Sequence, residues 1–193
     1  MIWMISALLV LIAFYSIYLG KMLVQRRKGI QTDQIARGEK RGPLYYTELL
    51  MKIATYAVVA AELVSIVRNS SMLGSWAKFL GLALGIAGVA VFGLAVWTMR
   101  DSWRAGIPES DETEMVTEGL YKYSRNPAFL GFDLVYLGVL LMFFNPVQLL
   151  FAVWAGVMLH LQILQEERFL KTRFGEKYAA YCKRTGRYFG RKG

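Results

Sequence analysis

The chain has few charged residues, one histidine and one cysteine among its 193 residues. Charged residues make up 19% of the sequence, against about 25% in a typical soluble domain. The single cysteine, Cys182, can form neither an intramolecular disulfide nor a cysteine-based zinc site, and we expect no metal site. Hydrophobic residues make up 55% of the chain, a composition that excludes intrinsic disorder and a large soluble α/β enzyme.

The sequence contains several long segments without charged residues. Residues 79–99 are 21 consecutive uncharged positions, enough to cross a hydrocarbon core of about 30 Å as a helix. The apolar segments run, in chain order, from Ile2 to about Val24, from about Tyr45 to Val67, from about Leu73 to Met99, from Ala128 to Asn145 and from Val147 to Leu164. We therefore predict an all-α fold, with residues 1–193 forming one integral membrane bundle of five transmembrane helices.

The last two predicted spans and the tail after them form a distinct part of this bundle. A break at Asn145-Pro146 separates the fourth and fifth spans, which predicts a helical hairpin. The tail is basic, and Leu170, Phe174, Tyr178 and Tyr181 recur in it at helical spacing. This pattern predicts a cytoplasmic amphipathic C-terminal segment along the membrane surface, with the two tyrosines as structural anchors at the interface.

The net charge is +9, from 23 Lys and Arg residues against 14 Asp and Glu residues. With the N-terminus outside, residues 25–42, residues 100–126 and the tail are cytoplasmic, and they hold 19 of the 23 basic residues. This distribution satisfies the positive-inside rule and predicts contacts with anionic lipid headgroups. We expect no nucleic-acid binding, because no basic face is interleaved with stacking aromatic residues.

Several ionisable residues lie inside the predicted spans. Glu48 and Lys52 are four residues apart, so they can pair on one helix face. Asp133 is expected to face the bundle and to be tied to a neighbouring residue, because isolated charges are costly at membrane depth. His160 is interpreted as a packed, hydrogen-bonded residue, with a role in a site as the alternative.

Two polar motifs flank the predicted hairpin, which brings them to the same end of the bundle. The first contains Gly119, Tyr121, Arg125, Asn126, Pro127, Phe129 and Gly131, and the second contains Glu166, Glu167, Leu170, Phe174, Gly175, Tyr178 and Tyr181. Arg125 can bind a carboxylate through two hydrogen bonds or, as the alternative, a lipid phosphate. Glu166 and Glu167 can accept hydrogen bonds from hydroxyl or amino groups, or they form a solvated pair.

In their order and spacing these residues resemble the motifs of the isoprenylcysteine carboxyl methyltransferase family of integral membrane methyltransferases, and more distantly the phospholipid N-methyltransferases. The resemblance covers roughly residues 113–189, so residues 1–112 are expected to be scaffold and residues 113–193 the cofactor-binding and catalytic region. Asn126 stands where the eukaryotic pattern has histidine, and Thr113-Glu114-Met115-Val116 replaces a segment that begins with histidine. The chain is therefore identified as similar to a prokaryotic-type member.

The resemblance implies S-adenosylmethionine as cofactor, with S-adenosylhomocysteine as product. The implied cofactor-binding residues are Glu114, Met115, Val116, Tyr121, Asn126, Pro127, Ala128, Phe129, Gln162 and Glu166, and the implied catalytic residues are Arg125 and Glu167. Proline at position 127 restricts Asn126 and starts the fourth helix there, with free backbone amides directed at the site.

The favoured function is methyl transfer to a lipid-embedded acceptor, the carboxylate of a C-terminal isoprenylcysteine or a similar lipophilic carboxylate. One alternative is a phospholipid N-methyltransferase, in which Glu167 would be the general base. The others are a sterol-type membrane reductase that uses NADPH and a non-catalytic membrane protein. We expect a monomer whose lipophilic substrate enters from the bilayer.

Overall fold

The computed structural model describes residues 1–69, 71–108 and 114–190. The five α-helices are α1 (Ile2–Arg27), α2 (Gly42–Val67), α3 (Ser75–Met99), α4 (Pro127–Met142) and α5 (Pro146–Arg184), and two 3-10 helices cover Arg100–Ser102 and Gly119–Lys122. Within these described ranges there is no strand, and Asp33 and Ala105 form an isolated parallel bridge. The all-helical prediction is therefore confirmed, whereas the boundary predicted between residues 112 and 113 lies outside the described residues.

Four helical segments are long and apolar enough to cross a membrane. They are Ile2–Arg27, Gly42–Val67, Ser75–Ser102 and Pro146–Arg184. The remaining helix, α4, is apolar but has only 16 residues, which corresponds to about 24 Å. The structure thus contains a multi-pass helical bundle, and a fifth span stays a prediction.

The connection between α4 and α5 lies where the sequence predicts it. Asn145 caps α5, because its side-chain oxygen accepts a hydrogen bond from the backbone N–H of Gln148 at 3.0 Å, and Pro146 occupies the first helical position. The two helices nevertheless diverge after this turn, since α4 packs chiefly against α3 and α5 chiefly against α2. The bundle consequently has one group of helices α1, α3 and α4, and a second group α2 and α5.

Small residues allow α3 and α4 to approach closely, as the glycines of α3 suggest. A Cβ atom added to Gly88 would lie 2.8 Å from the carbonyl oxygen of Gly131, and one added to Gly138 would lie 2.6 Å from that of Gly81. No side chain fits at these positions, so the two backbones are in direct contact. This contact fixes the N-terminal end of α4 against α3.

The end of α5 bends at Gly175, whose φ of +51° is a conformation that favours glycine. Beyond this kink, Tyr178 and Tyr181 are buried, and the Tyr181 hydroxyl donates a hydrogen bond to the backbone oxygen of Tyr121 at 2.6 Å. The predicted structural role of these tyrosines is therefore confirmed, but both are buried in the bundle, whereas anchors at the membrane interface would be exposed. Their structural role is internal, because the bend turns them towards the bundle.

Candidate functional site

A small cavity of about 110 Å³ lies where the start of α4 meets α5. Its walls include nine of the predicted site residues, namely Glu114, Met115, Val116, Tyr121, Arg125, Asn126, Ala128, Phe129 and Glu166. The three others, Pro127, Gln162 and Glu167, lie outside its lining. The structure therefore brings most of both motifs to one place, although the helices of the hairpin diverge. We call this space the polar cavity, after the charged and amide side chains in a wall that is otherwise largely apolar.

Arg125 and Glu167 are bound to each other. The Nε and Nη2 atoms of Arg125 donate to Oε1 of Glu167 at 3.1 and 2.8 Å, and Nη1 donates to the backbone oxygen of Thr185 at 2.7 Å. Burial lowers the pKa of the Arg125 guanidinium, but its hydrogen bonds and ion pair with Glu167 outweigh burial, so the pKa lies above its ordinary value. Arg125 is thus a fixed, charged group in the wall of the polar cavity.

A second arginine completes this cluster from the C-terminal segment. The Nε and Nη2 atoms of Arg187 donate to Oε2 of Glu167 at 3.1 and 2.8 Å, and this bonding raises the pKa of Arg187. The backbone oxygen of Arg187 accepts from the Asn126 side-chain amide at 3.3 Å, and that of Gly186 accepts from the backbone N–H of Arg125 at 3.0 Å. Residues 185–187 therefore hold the Arg125-Asn126 turn in place.

No sequence pattern predicts the contact between Arg187 and Glu167. Arg187 stands in a run of basic residues in the tail, which is usually a solvated or lipid-facing surface. Its position depends on the kink at Gly175, because that bend carries the chain back to α4. A role for Arg187 can be recognised only from the three-dimensional structure.

Glu166 lies beside a buried chain of polar groups. Gln162, which is fully buried, donates from Nε2 to Oε1 of Glu166 at 3.1 Å and lies 3.5 Å from Oε1 of Glu48. Among the residues that the structure describes, Oε1 of Gln162 and the hydroxyl of Tyr178 are buried and have no hydrogen-bond partner. Tyr178 also lines the polar cavity. An orphaned hydroxyl in a cavity wall suits a polar ligand, because such a group is costly to bury unpaired.

Glu48 is paired with Lys40, so the prediction that it pairs with Lys52 is wrong. Lys40 donates from Nζ to Oε2 of Glu48 at 2.7 Å, and the backbone N–H groups of Ala36 and Ile107 donate to the same carboxylate at 2.7 and 3.0 Å. Both side chains of the pair are buried. The connection between α1 and α2 folds over the end of α2, which supplies a tertiary partner that helical spacing cannot reveal.

His160 and Asp133, two other ionisable residues inside the predicted spans, differ in whether they have a hydrogen-bond partner. The His160 ring nitrogen Nδ1 is hydrogen-bonded to the Tyr188 hydroxyl, so its prediction as a packed, hydrogen-bonded residue is confirmed. Asp133 is half-buried and, within the part of the chain that the structure describes, makes no hydrogen bond or ion pair. The predicted tie between Asp133 and a neighbour is therefore absent there.

A larger cavity of about 520 Å³ adjoins the polar cavity. The two share five wall residues, Trp103, Arg104, Ala128, Phe129 and Glu166. The larger space lies between α1 and α2, and most of its lining side chains are apolar. Its rim reaches the outer surface of the bundle, since Leu19 and Tyr56 line it and are 54% and 67% exposed. We call it the lateral cavity.

The structure therefore defines a multi-pass helical membrane protein in which a polar cavity joins an apolar cavity that opens sideways between two helices. Residues 81–172 match the model of the isoprenylcysteine carboxyl methyltransferase (ICMT) family. This segment begins on α3 and covers just under half of the chain, which is similar to that family over these residues. The matched segment contains the polar motifs as far as Leu170 and ends before the kink at Gly175.

The chain is also similar to curated plant proteins over slightly more than half of its length. The chain is 31% identical over 112 residues to protein-S-isoprenylcysteine O-methyltransferase B of Arabidopsis thaliana, an alignment that covers 56% of this chain and 57% of that protein. It is 32% identical over 110 residues to the A protein of the same plant, covering 55% and 56%. A probable protein-S-isoprenylcysteine O-methyltransferase of Oryza sativa subsp. indica is 29% identical over 110 residues, covering 55% and 58%. The chain thus spans little more than half the length of these relatives.

Proposed function

We propose that the protein transfers a methyl group from S-adenosylmethionine to the carboxylate of a lipid-embedded acceptor, an isoprenylcysteine or a similar lipophilic carboxylate. The observation that carries this proposal is the shared wall of the two cavities at Phe129 and Glu166. A polar cosubstrate on one side and a lipid on the other would meet there. The names of the plant relatives support the same reaction.

The residues of the polar cavity suit the cofactor. Glu166 offers a carboxylate for hydroxyl or amino groups, the unpaired Tyr178 hydroxyl offers a further polar contact, and Tyr121 and Phe129 supply rings for adenine. The cavity is smaller than the roughly 300–1,000 Å³ of typical ligand pockets. A bound cofactor therefore has to extend into the junction with the lateral cavity or displace side chains.

S-adenosylmethionine would supply a methyl group on a positively charged sulfur. A carboxylate acceptor is already ionised at neutral pH, so the protein need not remove a proton. The protein would therefore contribute to catalysis by placing the acceptor next to the polar cavity and by excluding water. The apolar lining of the lateral cavity serves both purposes, because it holds a lipid chain and contributes few polar groups to attract water.

We assign different roles to the two predicted catalytic residues. Arg125 lines the polar cavity and would contact the cofactor, whose carboxylate suits a guanidinium. Glu167 lies behind Arg125 and positions it, together with Arg187. Both carboxylate oxygens of Glu167 accept hydrogen bonds from arginine, which makes this residue a poor general base. This geometry favours carboxyl methylation over the N-methylation of a phospholipid amine.

We also propose a topology with five spans, in which α4 crosses with the other helices, the N-terminus lies outside and the site lies on the cytoplasmic side. The basic segments support this orientation. The substrate would enter from the bilayer between α1 and α2, the basic tail would contact anionic headgroups, and the protein would act as a monomer.

Thiol labelling tests this topology. In sealed vesicles, a membrane-impermeant thiol reagent should label Cys182 only from the cytoplasmic side. Labelling from the opposite side would contradict the topology.

Cofactor binding tests the proposal without turnover. We expect the purified protein in detergent to bind S-adenosylhomocysteine, with heat in calorimetry and an increase in the thermal unfolding temperature, and to show neither with NADPH. The expectation follows from the donors and rings of the polar cavity. Binding of NADPH in place of S-adenosylhomocysteine would identify a reductase, and binding of neither at millimolar concentration would rule out the methyltransferase.

A further inference from the structure

Lys52 lies in the wall of the lateral cavity without a strong partner. Its Nζ atom is 3.4 Å from Oδ2 of Asp33, longer than the 2.7–2.9 Å typical of a charged hydrogen bond. Among the described residues this is the only hydrogen bond or ion pair of its ammonium group. The side chain is 29% exposed, so it is neither buried with a partner nor free in solvent.

Asp33 cannot neutralise Lys52 fully, because it also pairs with Arg37. The guanidinium of Arg37 lies 3.1 Å from the same Oδ2 atom, closer than the ammonium of Lys52. The three side chains together carry one excess positive charge. An anionic ligand would balance this excess, whereas a cationic headgroup would be repelled by it.

The position of Lys52 suits the head of a lipid. Lys52, Tyr56, Val59 and Leu63 recur on one face of α2 and line the lateral cavity, which gives a wall about 17 Å long at ~1.5 Å per residue. The charged residue stands at one end of this wall, and the remainder is apolar or aromatic. At the charged end, Asp33 is bridged to Ala105, next to Arg104, which lines both cavities.

We propose that Lys52 binds the carboxylate of the lipid-linked acceptor and thereby selects a carboxylate over a phospholipid amine. This inference rests on the proposed function and names the residue that determines its acceptor. Lys52 lies outside the segment that matches the family model. The lipid chain would lie along the face from Tyr56 to Leu63, with the carboxylate at the end of the cavity that adjoins the cofactor.

The test measures binding of N-acetyl-S-farnesylcysteine and of its neutral methyl ester by calorimetry, with S-adenosylhomocysteine present. The full-length protein is held in phosphatidylcholine nanodiscs, so that no anionic lipid competes. We expect the acid to bind the wild type about ten- to a hundredfold more tightly than the ester. Lys52→Gln should remove this preference and leave ester binding unchanged, while Lys52→Arg should keep it.

Lys78→Gln is the matched control, because Lys78 is also a half-buried lysine on a helix but lies outside the lateral cavity. Retained binding of S-adenosylhomocysteine shows that each variant is folded. An equal affinity of the wild type for acid and ester would overturn the proposal even if Lys52→Gln did not fold. A preference that survives in Lys52→Gln would do the same. If the acid binds through Lys52 but a separate assay with S-adenosylmethionine shows no methylation, the proposed function fails, whereas Lys52 remains a carboxylate-binding residue.

Discussion

Arg125→Ala and Glu167→Ala are each expected to lower methyl transfer by about ten- to a hundredfold in a protein that remains folded. Arg125→Ala removes a charged group from the wall of the polar cavity. Loss of one partner from a charge-assisted contact typically costs about 1.5–3 kcal/mol, or roughly ten- to a hundredfold in affinity. Glu167→Ala should act indirectly, because it leaves Arg125 and Arg187 close together without the carboxylate that binds both.

The measurements are methyl incorporation and the affinity for S-adenosylhomocysteine on the same preparations. A merely structural role would lower the unfolding temperature without changing the affinity of the folded fraction, so both quantities are needed. Arg125→Lys should restore part of the cofactor affinity, since it keeps the charge but not the two-atom contact. Both alanine variants with wild-type affinity and turnover would mean that this ion pair has no part in the site.

Lys28→Ala is a suitable control for these variants. Lys28 forms an ion pair with Asp101 at 2.7 Å, but about half of each side chain is exposed. Exposed pairs of this kind contribute roughly 0–1 kcal/mol. We therefore expect Lys28→Ala to keep both cofactor affinity and turnover, which would separate the effect of the Arg125–Glu167 pair from that of losing any surface charge.

The parts of the molecule that could be predicted from the sequence depend on interactions between residues that are close together in the chain. Hydropathy identifies the long helices because lipid demands continuous apolar segments. Asn145-Pro146 predicts the turn into α5 because a cap and a proline act within one turn of helix. Most of the predicted site residues lie in one cavity. The two polar motifs are at the start of α4 and in the second half of α5, and the turn between these helices brings them to the same end of the bundle.

The parts that could not be predicted depend on contacts between distant segments. Glu48 pairs with Lys40 from the preceding connection, although Lys52 is at the right helical spacing. Arg187 reaches Glu167 only because the chain bends at Gly175. The lateral cavity exists because α4 and α5 pack against different neighbours and leave a space between α1 and α2. None of these arrangements leaves a periodic signal in the sequence.

The second large effect concerns the acceptor. We expect the wild type to methylate a farnesylated cysteine and to leave phosphatidylethanolamine unmodified. The excess positive charge beside Asp33 favours an anion in the lateral cavity, and the bonds of Glu167 to two arginines leave it unsuited to deprotonating an amine. The two acceptors would use these residues differently, so we expect methyl transfer to the farnesylated cysteine to exceed transfer to phosphatidylethanolamine by at least about ten- to a hundredfold.

The most direct test incubates the protein with S-adenosylmethionine labelled in its methyl group, N-acetyl-S-farnesylcysteine and phosphatidylethanolamine, followed by treatment with alkali. A methyl ester is hydrolysed and releases labelled methanol, whereas an N-methyl group resists the same treatment. We predict that the label enters the farnesylated cysteine and is released by alkali, and that Arg125→Ala lowers the incorporation about ten- to a hundredfold. Label that enters phosphatidylethanolamine and resists alkali, or no incorporation by a wild type that binds S-adenosylhomocysteine, would contradict the proposal that this protein is a lipid carboxyl methyltransferase.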